Sequence, residues 1–399
     1  MRNPAKDQVA IVGVGVAPYT RQPGAGSSGA LAAQACVAAI RDAGLAARDI
    51  DGVCGSSYAD VEMQIALGLP AVTWGASPRV PFCYQILEAV NAVYAGACTT
   101  AVVYHSTYRR PGRRELNQDP LRERASSFGA SSTTPWRARL AMGPLEPGTQ
   151  GGGVGYASWA QRYLDEYGAT REAFGRIAVN NRTNALKNPN AVMQTPMTFD
   201  DYYAARMIRE PLGLLDLDVP VDAADALVVT TAERARDLPN PAVLVHASTI
   251  GRTARCREDQ VDSLIDTGQD VVARTLWAKS DLTLADVDVF LPYDGFTMIS
   301  TMWFESIGYC GRGEAEGFLR EHWDGAQDRI LIDGRIPVNP HGGNLSEGAT
   351  QGSGAVREGV VQLRGDAGER QVAGATVALA TPGGIVWNAG GILLRTADD

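Results

Sequence analysis

Short continuous apolar runs alternate with amphipathic stretches along most of this chain. Gln8 to Gly15 reads as a buried strand, Ala30 to Ala43 as a helix closed by Gly44, and Gly52 to Gly55 as a second strand after Asp49-Ile50-Asp51. The same order returns later: a strand at Ala242 to Ala247, a helix pattern at Val261 to Ala278, then Asp286-Val287-Asp288 leading into Val289-Phe290-Leu291. The Asp-aliphatic-Asp element thus recurs 237 residues on, from Asp49 to Asp286. Both copies continue alike, with Val90 to Gly96 leading to the strand Thr100 to His105 and Val356 to Leu363 leading to Ala375 to Ala380. Uninterrupted apolar strands alternating with helices imply a parallel or mixed sheet covered on both faces. The chain therefore divides into two α/β halves, residues 1–240 and 241–399.

An excursion over roughly residues 107–215 breaks the alternation in the first half. It opens on Arg109-Arg110-Pro111-Gly112-Arg113-Arg114, passes a turn cluster at Gly151 to Gly155, and holds one amphipathic helix, Tyr156 to Tyr167. A structureless connection of that length is uncommon in a compact fold, so a partly helical lobe over the site is expected. The arginines suit phosphates, and they suit a solvated or subunit-contact surface equally well.

Ahead of the last helix pattern, Asn339 to Gly354 packs five glycines into sixteen residues. Such a loop either serves tight packing or presents backbone N–H groups to a carbonyl or phosphate oxygen. His341 lies inside it.

Composition narrows the class. The chain has 399 residues, 45% of them hydrophobic and 20% charged, in keeping with a soluble globular protein. No apolar run reaches the ~18–20 residues of a membrane span, and Met1 to Asp7 carries no apolar signal segment, so a cytoplasmic location is expected. A net charge of −9 argues against general nucleic-acid binding. The six cysteines form no C-x-x-C pair and the four histidines no ligand spacing, so no metal site is expected.

Four further segments carry a family resemblance: Gln161 to Glu172; Pro220-Val221-Asp222 with Ala224 to Thr230; Tyr293 to Thr297 with Glu305 to Glu314; and Thr381-Pro382-Gly383-Gly384. Together with the duplicated halves and the glycine loop, they resemble the thiolase superfamily. The nearest likeness is to its sterol-carrier-protein-x, or lipid-transfer-protein, thiolase-like branch. The resemblance implies two α/β halves in αβαβα layers, and a homodimer.

The thiolase reactive groups are missing from the matching positions. The nucleophilic cysteine falls near Arg79 or Val80, with Cys83 about one helical turn away; the Gly-His-Pro histidine falls on Ala349; the second cysteine falls on Thr381. Without an activatable thiolate, acyl-enzyme chemistry has no evident route. The branch also includes aldolases of steroid side-chain degradation, so the resemblance implies retro-aldol cleavage of a β-hydroxyacyl-CoA, with the CoA thioester as substrate and no cofactor.

Tyr293 stands where thiolases carry an Asn and sterol-carrier types a His, and its phenol can donate to an oxyanion or exchange a proton; otherwise it is a packed strand-end tyrosine. His341 is its expected acid/base partner, or else a loop histidine; an imidazole can take a proton near neutral pH. The backbone amides of Gly343 and Gly384 are expected at the oxyanion. Asp294 is placed with them, orienting the loop or capping a helix over Thr297 to Ile307. Aldolases of this type resemble one another in working with a separate small OB-fold acyl-CoA-binding protein, which is therefore the expected partner. Two other readings stay open: a thiolase-type acyltransferase using Cys83, and a non-catalytic acyl-CoA or sterol-binding scaffold.

Overall fold

The protein is described by a computed structural model over residues 3–22, 26–56, 58–78, 82–108, 152–253, 263–386 and 388–397. The Arg109–Arg114 cluster, the Arg79/Val80 position and the lobe up to residue 151 lie outside the described residues.

Nine strands build one mixed sheet: β1 (Val9–Thr20), β2 (Gly52–Gly55), β3 (Trp74–Ala76), β4 (Thr100–Tyr108), β5 (Asp222–Thr231), β6 (Val243–Gly251), β7 (Val289–Pro292), β8 (Val377–Thr381) and β9 (Ala389–Thr396). Their spatial order is β3-β2-β4-β5-β1-β6-β9-β8-β7. In the first half β3, β2 and β4 run parallel, while β5 is antiparallel to both β4 and β1. The second half repeats the scheme, with β7 and β8 parallel and β9 antiparallel to β8 and β6. The halves join through two residue pairs, Ala10 with Leu244 and Ile11 with Val243.

The repeat extends to single hydrogen bonds. Asp51 accepts from the Thr99 and Thr100 N–H groups at the start of β4, and Asp288 accepts from those of Thr376 and Val377 at the start of β8. Asp49 and Asp286 each close a single 3-10 turn, accepting from the N–H of Ala46 and of Thr283. Short carboxylates suit this task, since a strand's first N–H groups lie outside the ladder and need acceptors.

Three apolar cores separate the layers. Helix α1 (Ser28–Asp42) sets Leu31, Ala35 and Ala39 against Val12, Val53, Val102 and Val228. In the middle, Ile86, Val90 and Val93 of α2 (Phe82–Tyr94) and Val356, Val360 and Leu363 of the last long helix meet Val103, Leu227, Val245, Leu291 and Ile392 from both halves. On the far side, α3 (Gly152–Tyr167), α4 (Glu172–Ala185), α5 (Gly268–Ala278) and α6 (Thr297–Ile307) enclose Phe290, Leu379 and Leu393. The order helix, first-half strands, helix, second-half strands, helix is the expected αβαβα arrangement, its two β layers being the two halves of the one sheet.

Two helix starts bear on the site and depart from expectation. Helix α5 begins at Gly268, because Thr267 and Asp270 form a capping box; the expected start, Val261, lies outside the described residues. Helix α3 begins at Gly152, four residues before Tyr156, so glycines expected to turn the chain open a helix instead.

The two sheet edges are unlike. At the β7 edge, Phe290 is bridged by Val338 in parallel sense and its carbonyl accepts from Asn339 N–H at 2.9 Å. The β3 edge ends on the partly exposed strand Trp74–Ala76.

Candidate active site

Four segments converge at the ends of β7 and β8: the N-terminus of α2, the turn after β7, the glycine loop, and the turn after β8. Phe82 N–H donates to Gln351 O, Tyr293 N–H to Thr381 O at 3.3 Å, and Trp303 Nε1 to Gly383 O at 3.2 Å. The glycine loop runs through a one-turn helix α7 (Gly343–Ser346) into α8 (Ser353–Arg364). At Gly343 the backbone has φ +60°, and a Cβ there would lie 2.1 Å from Asp294 Oδ2. That position therefore needs glycine on two counts.

Asp294 is the clamp of this loop. Its Oδ1 accepts from the Asn344 N–H and Nδ2, each at 2.8 Å; Oδ2 accepts from Leu345 N–H at 3.0 Å and Asn181 Nδ2 at 2.6 Å. Burial lifts its carboxyl to about 6, and these four donors hold it back from rising further. The carboxylate thus orients the loop by capping α7. It does not cap α6, whose N-cap Phe296 makes no side-chain cap; Thr297 instead donates to Asp216 Oδ1 at 2.7 Å. With both oxygens engaged by the protein, Asp294 acts on the loop rather than on a substrate oxygen.

Tyr293 leaves β7 buried, 6% exposed. Its carbonyl accepts from Ser300 Oγ at 3.0 Å, and its ring lies over Gly295, where a Cβ would come within 2.8 Å of the phenol oxygen. Thr381, opposite on β8, is fully buried, and its Oγ1 has no hydrogen-bond partner among the described residues.

His341 faces another neighbourhood. Its Nε2 lies 3.9 Å from Glu347 Oε2, its carbonyl accepts from Asn188 Nδ2 at 2.8 Å, and its buried Nδ1 has no partner among the described residues. Burial lowers the imidazole from its usual range to about 3. The side chain is therefore neutral at neutral pH, contrary to the expectation of a group that takes up a proton there.

Gly384 also departs from expectation. Its N–H donates to Asn388 Oδ1 at 3.2 Å, so that amide is occupied, and a Cβ would meet both Asn388 Oδ1 and the Tyr156 hydroxyl at 2.6 Å. Tyr156, on α3, stacks on Phe296 with ring centroids 4.5 Å apart and so closes the site from the lobe side.

Cys83 is a packed thiol. Its Sγ donates to Pro382 O at 3.6 Å and sits against Gly390; burial pushes its pKa far above the ordinary thiol range. Ala349, where a thiolase histidine would stand, is buried with its N–H on Val219 O at 2.8 Å.

Sequence reasoning missed the scaffold under the loop. Helix α4 buries Asn180, Asn181 and Asn184, with Asn188 following; Asn180, Asn184 and Asn188 hold residues 338–347, and Asn181 holds Asp294. Asn180 and Asn184 donate to Val338 O at 3.0 and 2.8 Å. Asn180 and Asn184 share one helical face and Asn188 continues the same spacing past the helix end; a run of uncharged polar groups at that spacing is the signal that could have revealed them. Deeper lies a buried ionic cluster. Arg357 Nη1 donates to Asp225 Oδ1 at 2.6 Å and to the Tyr19 hydroxyl at 3.1 Å, while Nη2 binds Glu347 Oε1. One cation between two carboxylates is tolerated in the interior only because nearly every lone pair has a donor.

Comparison with known proteins bears on the family and the fold. Residues 254–396 match the family "Thiolase C-terminal domain-like". The chain is 35% identical to the 17-hydroxy-3-oxo-4-pregnene-20-carboxyl-CoA lyase of Mycobacterium tuberculosis, over 97% of this chain and 99% of that one. It is 34% identical to the steroid side-chain-cleaving aldolase of Thermomonospora curvata, over 89% and 90%. A solved structure described as an Ltp2-ChsH2(DUF35) aldolase superposes over the full length of both chains with a TM-score of 0.87 at 30% identity.

Proposed function

This chain belongs to the thiolase superfamily, in the branch of the steroid side-chain-cleaving aldolases; it is a carbon–carbon lyase of the retro-aldol type, and we propose that Tyr293 and His341 carry its proton transfers. The substrate is a β-hydroxyacyl-CoA whose acyl part is a steroid side chain or a similar lipid. One observation carries the residue assignment: Asp294, next in sequence to Tyr293, binds the N–H groups of Asn344 and Leu345, three and four residues after His341. The two segments that carry the candidates are thus fastened to each other by hydrogen bonds.

In the reaction a base accepts the β-hydroxyl proton and the Cα–Cβ pair moves into the thioester as an enolate. The carbonyl product leaves, and a proton is returned at Cα. Nothing is oxidised or reduced, and no cofactor beyond the CoA thioester is called for. A neutral His341 suits the acceptor of the hydroxyl proton, and the Tyr293 phenol suits the donor to the enolate oxygen. The backbone N–H of Gly343 itself supports the same oxygen, those of Gly342, Asn344 and Leu345 being taken by Asn339 O and Asp294.

The partners follow the same reading. We propose a homodimer that works with a separate OB-fold acyl-CoA-binding protein. Light scattering on the chain alone and with that protein tests the assembly, and a monodisperse monomer that also fails to bind the partner would refute it. Incubating the complex with β-hydroxyacyl-CoA esters and following carbonyl release tests the chemistry. Binding without turnover would leave a scaffold; loss of turnover on alkylation of Cys83 would favour an acyltransferase.

A further inference from the structure

We propose that Glu347 is the positioning residue of His341, fixing its tautomer so that Nδ1 is the nitrogen presented to the substrate hydroxyl; this rests on the reading of His341 as proton acceptor. Glu347 follows α7, with its N–H on Gly343 O at 2.9 Å. Its two oxygens are used unequally. Oε1 accepts from Arg357 Nη2, from Asn188 Nδ2 at 2.8 Å and from Asn190 Nδ2 at 3.3 Å. Oε2 is left facing His341 Nε2 at 3.9 Å, in space kept open by Gly354, where a Cβ would lie 2.9 Å from that oxygen.

A carboxylate with one oxygen saturated and the other directed at an imidazole nitrogen favours a proton on that nitrogen. The other nitrogen, Nδ1, then carries the lone pair, and it is the buried atom without a partner among the described residues. At 3.9 Å the contact is too long for a hydrogen bond; such pairs commonly tighten when substrate engages the far nitrogen.

The pair is held from behind. Asn188 Nδ2 donates at 2.8 Å both to the His341 carbonyl and to Glu347 Oε1, so one amide fixes the backbone of the first and the side chain of the second. Arg357 anchors the carboxylate to Asp225 of β5 and to Tyr19 of β1, which belong to the other half of the fold. The charged groups around the imidazole are Glu347, Glu358 and Asp225 against Arg357 and Arg370. Orientation by this cluster, rather than contact with substrate, is what the geometry assigns to Glu347.

The test uses the full chain with its partner protein. Glu347→Gln should lower kcat on the order of 10- to 100-fold, part of the roughly 10²–10⁴ that general-base catalysis supplies, with KM nearly unchanged. In a His341→Ala background the same change should add no further loss, because its effect runs through the imidazole. Because Glu347→Gln disturbs a buried ionic cluster and could fail to fold, histidine ¹⁵N spectra of the unmodified protein give an independent reading. The His341 signal, identified by its loss in His341→Ala, should show Nε2 protonated and Nδ1 bare. An Nδ1-protonated tautomer, or a folded Glu347→Gln enzyme with full kcat while His341→Ala is inactive, overturns the inference alone. Full kcat in His341→Ala overturns the underlying assignment as well.

Discussion

Asp294 and Asn344 meet twice, the Asp294 Oδ1 accepting both the backbone N–H and the side-chain amide of Asn344 at 2.8 Å. The loop carrying His341 is thereby fastened to the residue beside Tyr293. Asp294→Asn replaces one acceptor oxygen with an amide that would face two donors. A clash plus two broken bonds exceeds a single neutral hydrogen bond, so a stability loss of roughly 2–4 kcal/mol is expected, with kcat falling in parallel. Denaturant unfolding and kcat on the same preparation check this; unchanged values for both would remove the clamp.

Tyr293→Phe deletes one hydroxyl and little packing. If that hydroxyl donates to the enolate oxygen, kcat falls on the order of 100- to 1,000-fold while Tm and acyl-CoA affinity hold. Retained kcat with a lower Tm would make the tyrosine structural.

Cys83→Ala should keep kcat within about two-fold and cost about 1 kcal/mol of stability for the lost sulfur contact. The thiol is buried and strongly disfavours ionisation, so iodoacetamide should also leave it unmodified in the folded protein. Rapid alkylation at Cys83 would contradict the structure.

Glu305 supplies a pH signature. Its carboxyl accepts from the Tyr163 hydroxyl and, at 3.0 Å, from Gly313 N–H; burial raises it to about 7. The folded state therefore holds this proton more tightly than the unfolded chain between about pH 4.5 and 7. The stability it contributes is full below the lower value and is lost as pH rises through the upper one, at no more than about 1.4 kcal/mol per unit. The Tm of the wild type minus that of Glu305→Gln should fall steadily from pH 5 to pH 8. A pH-independent difference would show that Glu305 does not titrate there. Since Tyr163 lies on α3, the same helix as Tyr156, the variant also reports on how firmly that helix closes the site.

The parts of the fold legible in the sequence were those set by local pattern. Val289-Phe290-Leu291 and Ala101 to Tyr104 are apolar throughout and lie in buried strands, and the Asp-aliphatic-Asp repeat marks real hydrogen-bonding devices at Asp51 and Asp288. The start of α5 is legible too, in the capping-box pattern Thr267-x-x-Asp270 that lies inside the segment read as helical from Val261. The ionic cluster was not. Asp225 and Arg357 are 132 residues apart and each looks like a surface charge in its own segment. Likewise nothing local says that Asn388 takes the Gly384 amide, or that Asp294 reaches forward fifty residues to Asn344 rather than capping the helix beside it.

The unlike edges of the sheet bear on how many molecules can come together. At one end Val338 already occupies the position a neighbour's strand would take beside Phe290, while at the other Trp74–Ala76 is the last strand in the row among the described residues. A body with one receptive end can be extended once, by a copy turned about a two-fold axis, and the growing row is then finished at both of its ends. The stub at Val338 thus works as a chain terminator: were copies to pair strand to strand, the row would stop at a count of two rather than run on as a fibre.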